Sequence, residues 1–205
     1  MARQPSFDRS DVATAGLAVV AELGWTAVTM RAVAEQLAVS PMALYRVAHD
    51  AEALRCIVAD AAAEPIQPDP AIGDLIAALA DWARRVYTAL EPFPGLAGFV
   101  IVEWTELPRW LDIVETLLAR AAANGRAGAP AVATVNAVYA YVLIRCQLRD
   151  AARMSPRRKL APVRRARTRY PHITANLDEF AVARTDRHFG VGLDALLRGL
   201  QAPRT

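Results

Sequence analysis

The chain has 205 residues, 54% of them hydrophobic, with 24 Lys and Arg against 21 Asp and Glu, a formal net charge of +3. This excludes a disordered chain and suffices to bury one sizeable core plus a small satellite unit. No apolar run reaches the roughly 18 residues of a membrane span, "MARQPSFDRSD" lacks the apolar segment of a signal peptide, and Cys56 and Cys146 suit neither a disulfide framework nor a metal-ligand spacing, so a cytoplasmic chain is expected, with no membrane and no metal.

Apolar residues recur at steps of three and four in Val12, Gly16, Leu17, Val20 and Leu23, which predicts a first helix ended by Gly24. Thr29 suits the N-cap of a second helix whose inner face carries Val33, Ala34 and Leu37. Ser40 and Pro41 read as N-cap and first residue of a third. Only Ala38, Val39 and Ser40 separate the second and third helices, so the two must cross steeply, as in a helix-turn-helix, with Val39 as an apolar plug. Leu44 then faces inward, while Pro41, Met42, Tyr45 and Arg46 fall outside.

The prolines of "EPIQPDP" deny helix continuation and mark a boundary between a unit at 1–64 and a larger one at 65–205. Beyond it, helical spacing returns in Leu75, Leu79, Trp82 and Val86, in Ile113, Leu117 and Leu118, in Val135, Tyr139, Val142 and Cys146, and near the C-terminus. Breaks fall at "EPFPG", "NGRAGAP" and "SPRRKLAP". No convincing strand and no repeat appears, and the expected class is all-α: a three-helix helix-turn-helix unit followed by a larger helical one.

Charge is unevenly spread. Residues 1–64 hold five Arg against eight acids, whereas residues 151–177 hold eight basic residues and no acid. Outward Tyr45 and Arg46 suit a helix whose N-terminal half enters a DNA major groove, because Arg can fork onto a guanine edge and a Tyr hydroxyl can donate to a phosphate. On this stretch alone a solvated helical hairpin is an equal reading.

The wider segment "VATAGLAVVAELGWTAVTMRAVAEQLAVSPMALYRVAHDAEAL" resembles, without a gap, the N-terminal DNA-binding domain of the tetracycline-repressor (TetR) family. The marks are Gly24, Thr29, "AVAEQLAVS", "ALYR" and the run from Asp50 to Leu54. At the other end "HFGVGLDALLRGLQA" resembles the end of the last helix in the branch that holds the tetracycline repressor itself. By this resemblance Thr29, Arg31, Ser40, Pro41, Met42, Ala43, Tyr45 and Arg46 take the positions that meet a double-stranded DNA operator. Arg31 and Arg46 are the candidates to read bases, Met42 and Ala43 to touch a thymine methyl, and Thr29, Ser40 and Tyr45 to hold phosphates. Val47 and Ala51 stand where the family often has His and Lys, and His49 partly replaces that charge. Fewer phosphate contacts imply a low sequence-independent affinity.

The resemblance also implies a homodimer formed through the last two long helices, expected near 132–152 and 177–200. Val135, Val142, Val191, Leu193, Leu196, Leu197 and Leu200 are the candidate dimerisation residues, and two heads would then read a palindrome. It further implies a small-molecule effector in the larger unit. Trp82, Val86, Phe99, Trp104, Trp110, Asn136 and Tyr139 are candidate contacts, suiting a largely hydrophobic ligand, although aromatics at helical spacing serve a core more often. "EPIQPDP" lacks the His that helps hold a magnesium-bound drug in the tetracycline repressor, so tetracycline recognition is not supported. The basic segment at 153–169 reads first as a solvated loop, with a second nucleic-acid contact or an anionic-ligand site as the alternatives. His49, His172 and His188 are widely separated and form no triad, and Glu103 and Glu106 have no His partner, so no catalytic or cofactor site is expected. The expected function is a ligand-responsive regulator, a repressor; the alternative is a dimeric helical small-molecule-binding protein with weak or lost DNA binding.

Overall fold

The computed structural model describes residues 7–154, 165, 168–182 and 186–201, and every regular element among them is helical. Helix α1 (Arg9–Leu23) opens on a capping box in which Asp8 Oδ1 accepts from the amides of Ser10 (2.7 Å) and Asp11 (3.1 Å), while Asp11 Oδ2 accepts from the Asp8 amide (2.8 Å). It stops at Gly24, whose φ of 85° lies in the region glycine favours. After a single turn at Trp25–Ala27, α2 (Met30–Gln36) begins with Thr29 Oγ1 accepting from the Ala32 amide (3.2 Å).

The tight connection places Ala38 at φ 54°, and the Val39 amide donates back to the Ala34 carbonyl (2.9 Å). Then comes α3, only Pro41–Leu44 long. Ser40 occupies the N-cap position, but its side chain accepts no hydrogen bond; the fixed φ of Pro41 starts this helix instead. Helix α4 (Ala51–Ala61) is capped by Asp50, which accepts from the Ala53 amide (2.7 Å). At the α1–α4 crossing a Cβ on Gly16 would lie 2.1 Å from Cγ2 of Val58, so the two helices approach where only glycine fits.

The larger unit contains α5 (Leu75–Ala89), α6 (Leu96–Glu103), α7 (Pro108–Ala123), α8 (Ala129–Met154) and α11 (Asp186–Gln201), with the short α9 (Pro171–Ala175) and α10 (Leu177–Val182) between the last two. Two hydrophobic clusters result. One spans Val12 to Val58, the other Ala59 to Leu197, so the core divides inside α4 rather than within "EPIQPDP". The α4 tail is tied to α7: Asp60 is buried and its carboxylate accepts from the Arg109 amide (2.7 Å) and from Arg109 Nη1 (2.9 Å), and Trp110 Nε1 donates to the Ala59 carbonyl (2.9 Å).

Contrary to the expectation that no segment suffices, α8 is long and apolar enough by length and composition to cross a membrane. Its Val138, Val142, Leu143 and Cys146 are instead buried in the bundle, where α8 packs against α5, α6, α7 and α11. The same packing involves the residues expected at a dimer contact. Val135, Val142, Leu193 and Leu197 are buried within the chain's own core and Leu196 and Leu200 pack against it, leaving only Val191 of that set well exposed, at 65%. On α8 and α11 this apolar stripe takes part in completing the bundle.

Candidate nucleic-acid interface and ligand cavity

Leu44 is the one fully buried side chain of α3, and it pins the helix to the head's core together with half-buried Val39. A helix of one turn with a single anchor must present its remaining residues outward. Pro41, Met42, Tyr45 and Arg46 are all exposed, Met42 at 76% and Tyr45 at 50%, and Ala43 is half-buried. Thr29, Arg31 and Ser40 are exposed at the neighbouring α2 start and turn, so the eight residues at 29, 31, 40–43, 45 and 46 lie around one helix-turn-helix.

Charge on this face is sparse. Arg46 Nε donates to the Ala43 carbonyl (3.4 Å). His49 turns toward the α4 cap, its Nε2 3.3 Å from Asp50 Oδ2, so it is shared with an acid of the same chain.

Between α6, α7 and α8 lies a cavity of about 350 Å³. Ile101 and Trp104 form one wall, Val114 and Leu118 of α7 a second, and α8 the third with Val132, Val135, Asn136, Tyr139, Ala140 and Ile144. Among the described residues no charged side chain lines it. Tyr139 is the centre of an aromatic group: Trp82 stacks on it at 5.6 Å, Trp104 tilts at 6.3 Å and Trp110 meets it edge-on at 6.3 Å. Burial pushes the Tyr139 pKa well above the usual phenol value, so the ring lines the cavity as a neutral group.

Of the seven expected ligand contacts, Trp104, Asn136 and Tyr139 line this cavity. Trp82, Val86 and Trp110 are fully buried in the core and Phe99 packs on Trp25 (4.8 Å), none of the four among the lining residues. The division has a simple cause: helical spacing marks an apolar face without telling which part of it touches a neighbouring helix and which a hollow. The lining residues missed were Ile101, Val114, Leu118, Val132, Ala140 and Ile144, with Val135 assigned to dimerisation. A signal existed on α8, where positions 132, 136, 140 and 144 repeat every fourth residue beside the stripe that carries the core. The basic segment falls largely outside the described residues; Arg153 pairs with Glu91. Among the described residues no His, Cys, Asp and Glu group could hold a metal ion.

Residues 67–204 match the family model described as Tetracyclin repressor-like, C-terminal domain. No curated protein matches the chain. Among solved structures, a possible TetR family transcriptional regulator from Streptomyces coelicolor A3(2) is 25% identical, with 96% of this chain and 100% of that one covered and a TM-score of 0.78. BioQ with its natural double-stranded DNA operator is 24% identical (97% and 100% covered, TM-score 0.69), and the Streptomyces coelicolor protein ActR in complex with actinorhodin is 17% identical (96% and 96% covered, TM-score 0.78). The last two likenesses are of fold. With two thirds of its length matched by the family model and its helix-turn-helix head and helical bundle shared with these regulators, the chain belongs to the tetracycline-repressor (TetR) family of transcriptional regulators.

Proposed function

We propose that the protein is a repressor that binds a palindromic operator as a homodimer and responds to a small, uncharged, largely apolar effector. Residues 1–64 form the reading head and residues 65–205 the effector and dimerisation unit; the protein acts by binding, without catalysis. The observation that carries this reading is that α4 belongs to both cores. Its Leu54, Ile57 and Val58 lie in the head's cluster, and Ala59 in the bundle's.

An effector in the cavity has a short path to that helix. Tyr139 lines the cavity, Trp110 abuts it edge-on, and Trp110 Nε1 is hydrogen-bonded to the Ala59 carbonyl of α4. Displacing Tyr139 would shift Trp110 and the α4 tail, and a dimer whose heads change spacing no longer matches two half-sites. A lining without charge favours an uncharged effector, since an ion would lose its hydration without a partner. The neighbours support both halves: BioQ is seen with a DNA operator and ActR with actinorhodin. The exposed Val191 on α11 is the place to look for the dimer contact.

Fluorescence anisotropy on the DNA flanking the protein's own gene tests the reading. A salt-dependent preference for one palindromic site, with two protomers bound, is expected. Equal weak binding to any duplex sinks it and leaves the small-molecule-binding reading, which the head's excess of acid and its Val47 and Ala51 favour. For the effector, thermal shifts with a panel of uncharged aromatic compounds should single out ligands whose effect vanishes in Ala140→Trp, which fills the cavity.

A further inference from the structure

Arg46 lies two residues beyond the last helical residue of α3, in a turn that does not by itself fix a long side chain. Its guanidinium is nevertheless held. It sits over the ring of Phe7, 5.5 Å from the centroid, and its Nε donates to the Ala43 carbonyl. Phe7 in turn is fixed by the start of α1. It occupies the position before the N-cap Asp8, whose capping box sets the direction in which the chain enters the helix, and it packs against the head's core cluster, to which Val12 of the first turn belongs. A hydrophobic residue before the cap set against one four positions into the helix is the hydrophobic-staple arrangement. "FDRSDV" therefore does more than start a helix: it carries a ring to the face of α3, more than thirty residues on in sequence.

We infer that Phe7 is a positioning residue for operator recognition, holding the Arg46 guanidinium by its face so that its Nη groups stay free to meet a base edge. The inference rests on the proposed operator-binding function and adds a residue that the helix-turn-helix itself does not contain. The physics favours it on two counts. A guanidinium within about 6 Å of an aromatic centroid is attracted by the ring quadrupole, and a stacked face leaves the hydrogen-bonding edge unused. Ordering a flexible arginine before binding also removes entropy that would otherwise be lost on the DNA. In a head with so few cations, the pose of one arginine matters more than it would in a basic one.

The test is a double-mutant cycle on the full-length protein, read by anisotropy on its mapped operator and on operator variants changed one base pair at a time. Phe7→Leu keeps an apolar side chain on the core and removes the ring; it should weaken operator binding about two- to fivefold per head and flatten discrimination at the base pair that Arg46→Ala also flattens. Phe7→Tyr and Phe7→Trp should restore both, ranking the variants by ring rather than by size. In an Arg46→Ala background, Phe7→Leu should cost nothing further. An equal cost in both backgrounds, or operator binding by Phe7→Leu as tight and as selective as that of the unaltered protein, overturns the inference and leaves operator binding standing. An unaltered protein with no operator preference overturns both. Thermal denaturation of each variant separates loss of the head's fold from loss of the contact, and the aromatic pair keeps the test decisive if Phe7→Leu unfolds.

Discussion

In the head, Met42 on a one-turn helix and Tyr45 and Arg46 just after it stand out around the single buried Leu44, whereas in the bundle Asn136 and Tyr139 are set among apolar walls. The first constellation is local, with eight positions inside eighteen residues. The second is assembled from segments spread over more than forty residues. A recognition surface on a small head can be displayed by a few caps and one buried leucine, while a cavity exists only once several helices have failed to close against one another. The two also differ in tolerance. The head's polar groups sit in water until a partner arrives, but the cavity's groups lie in a low-dielectric site where an unmatched charge is costly.

The contrast can be broken most forcefully at Arg46. Arg46→Ala should cost about 1–3 kcal/mol at each half-site if it reads a base, with protein stability unchanged; an unaltered operator affinity would move recognition elsewhere on the head. Gly16→Ala comes next, because its Cβ has no room against Val58. Overpacking of this kind costs about 1–3 kcal/mol, so the melting temperature should fall and, since Val58 adjoins the point where the two cores divide, operator affinity should fall with it. A stable Gly16→Ala protein would show that α1 and α4 can slide apart freely.

Trp110→Phe probes the bundle side. It removes the donor to the Ala59 carbonyl and should cost about 1 kcal/mol in urea denaturation, with operator affinity in the absence of effector nearly intact. A head that stops binding DNA in this variant would mean that the bundle holds the reading geometry even when empty. The smallest effect concerns the thiols. Burial pushes Cys146 to about 12, while Cys56, partly exposed on α4, is raised by burial and by nearby glutamates. Both react as thiolates, so labelling by iodoacetamide should quicken as pH rises, with Cys56 modified before Cys146. Labelling of Cys146 first would indicate that the bundle opens more readily around α8 than along α4, where Cys56 packs against it.

Much of the head was legible without coordinates because its signals are short-range. Thr29 caps the helix that follows it, Gly24 ends α1, Pro41 starts α3 and Leu44 turns inward, and each follows from side-chain chemistry within four residues. Ser40 is the exception, since its hydroxyl makes no capping bond there. In the bundle the same periodicity identified helices without saying what each face meets. Trp82 and Trp110 became core, Trp104 and Tyr139 became wall, and Val142 and Leu193, expected at a dimer contact, close the chain on itself.

By itself the sequence determined the helical class, the caps and breaks, the outward residues of α3 and the poverty of charge around them, since these depend on backbone and side-chain preferences acting over a few positions. Only the tertiary structure decided where the core divides along α4, which aromatics line a hollow, and that Phe7 lies over Arg46. Those are contacts between residues distant in the chain, set by how helices of given shape pack, and a pattern of apolar spacing is the same whichever neighbour it meets.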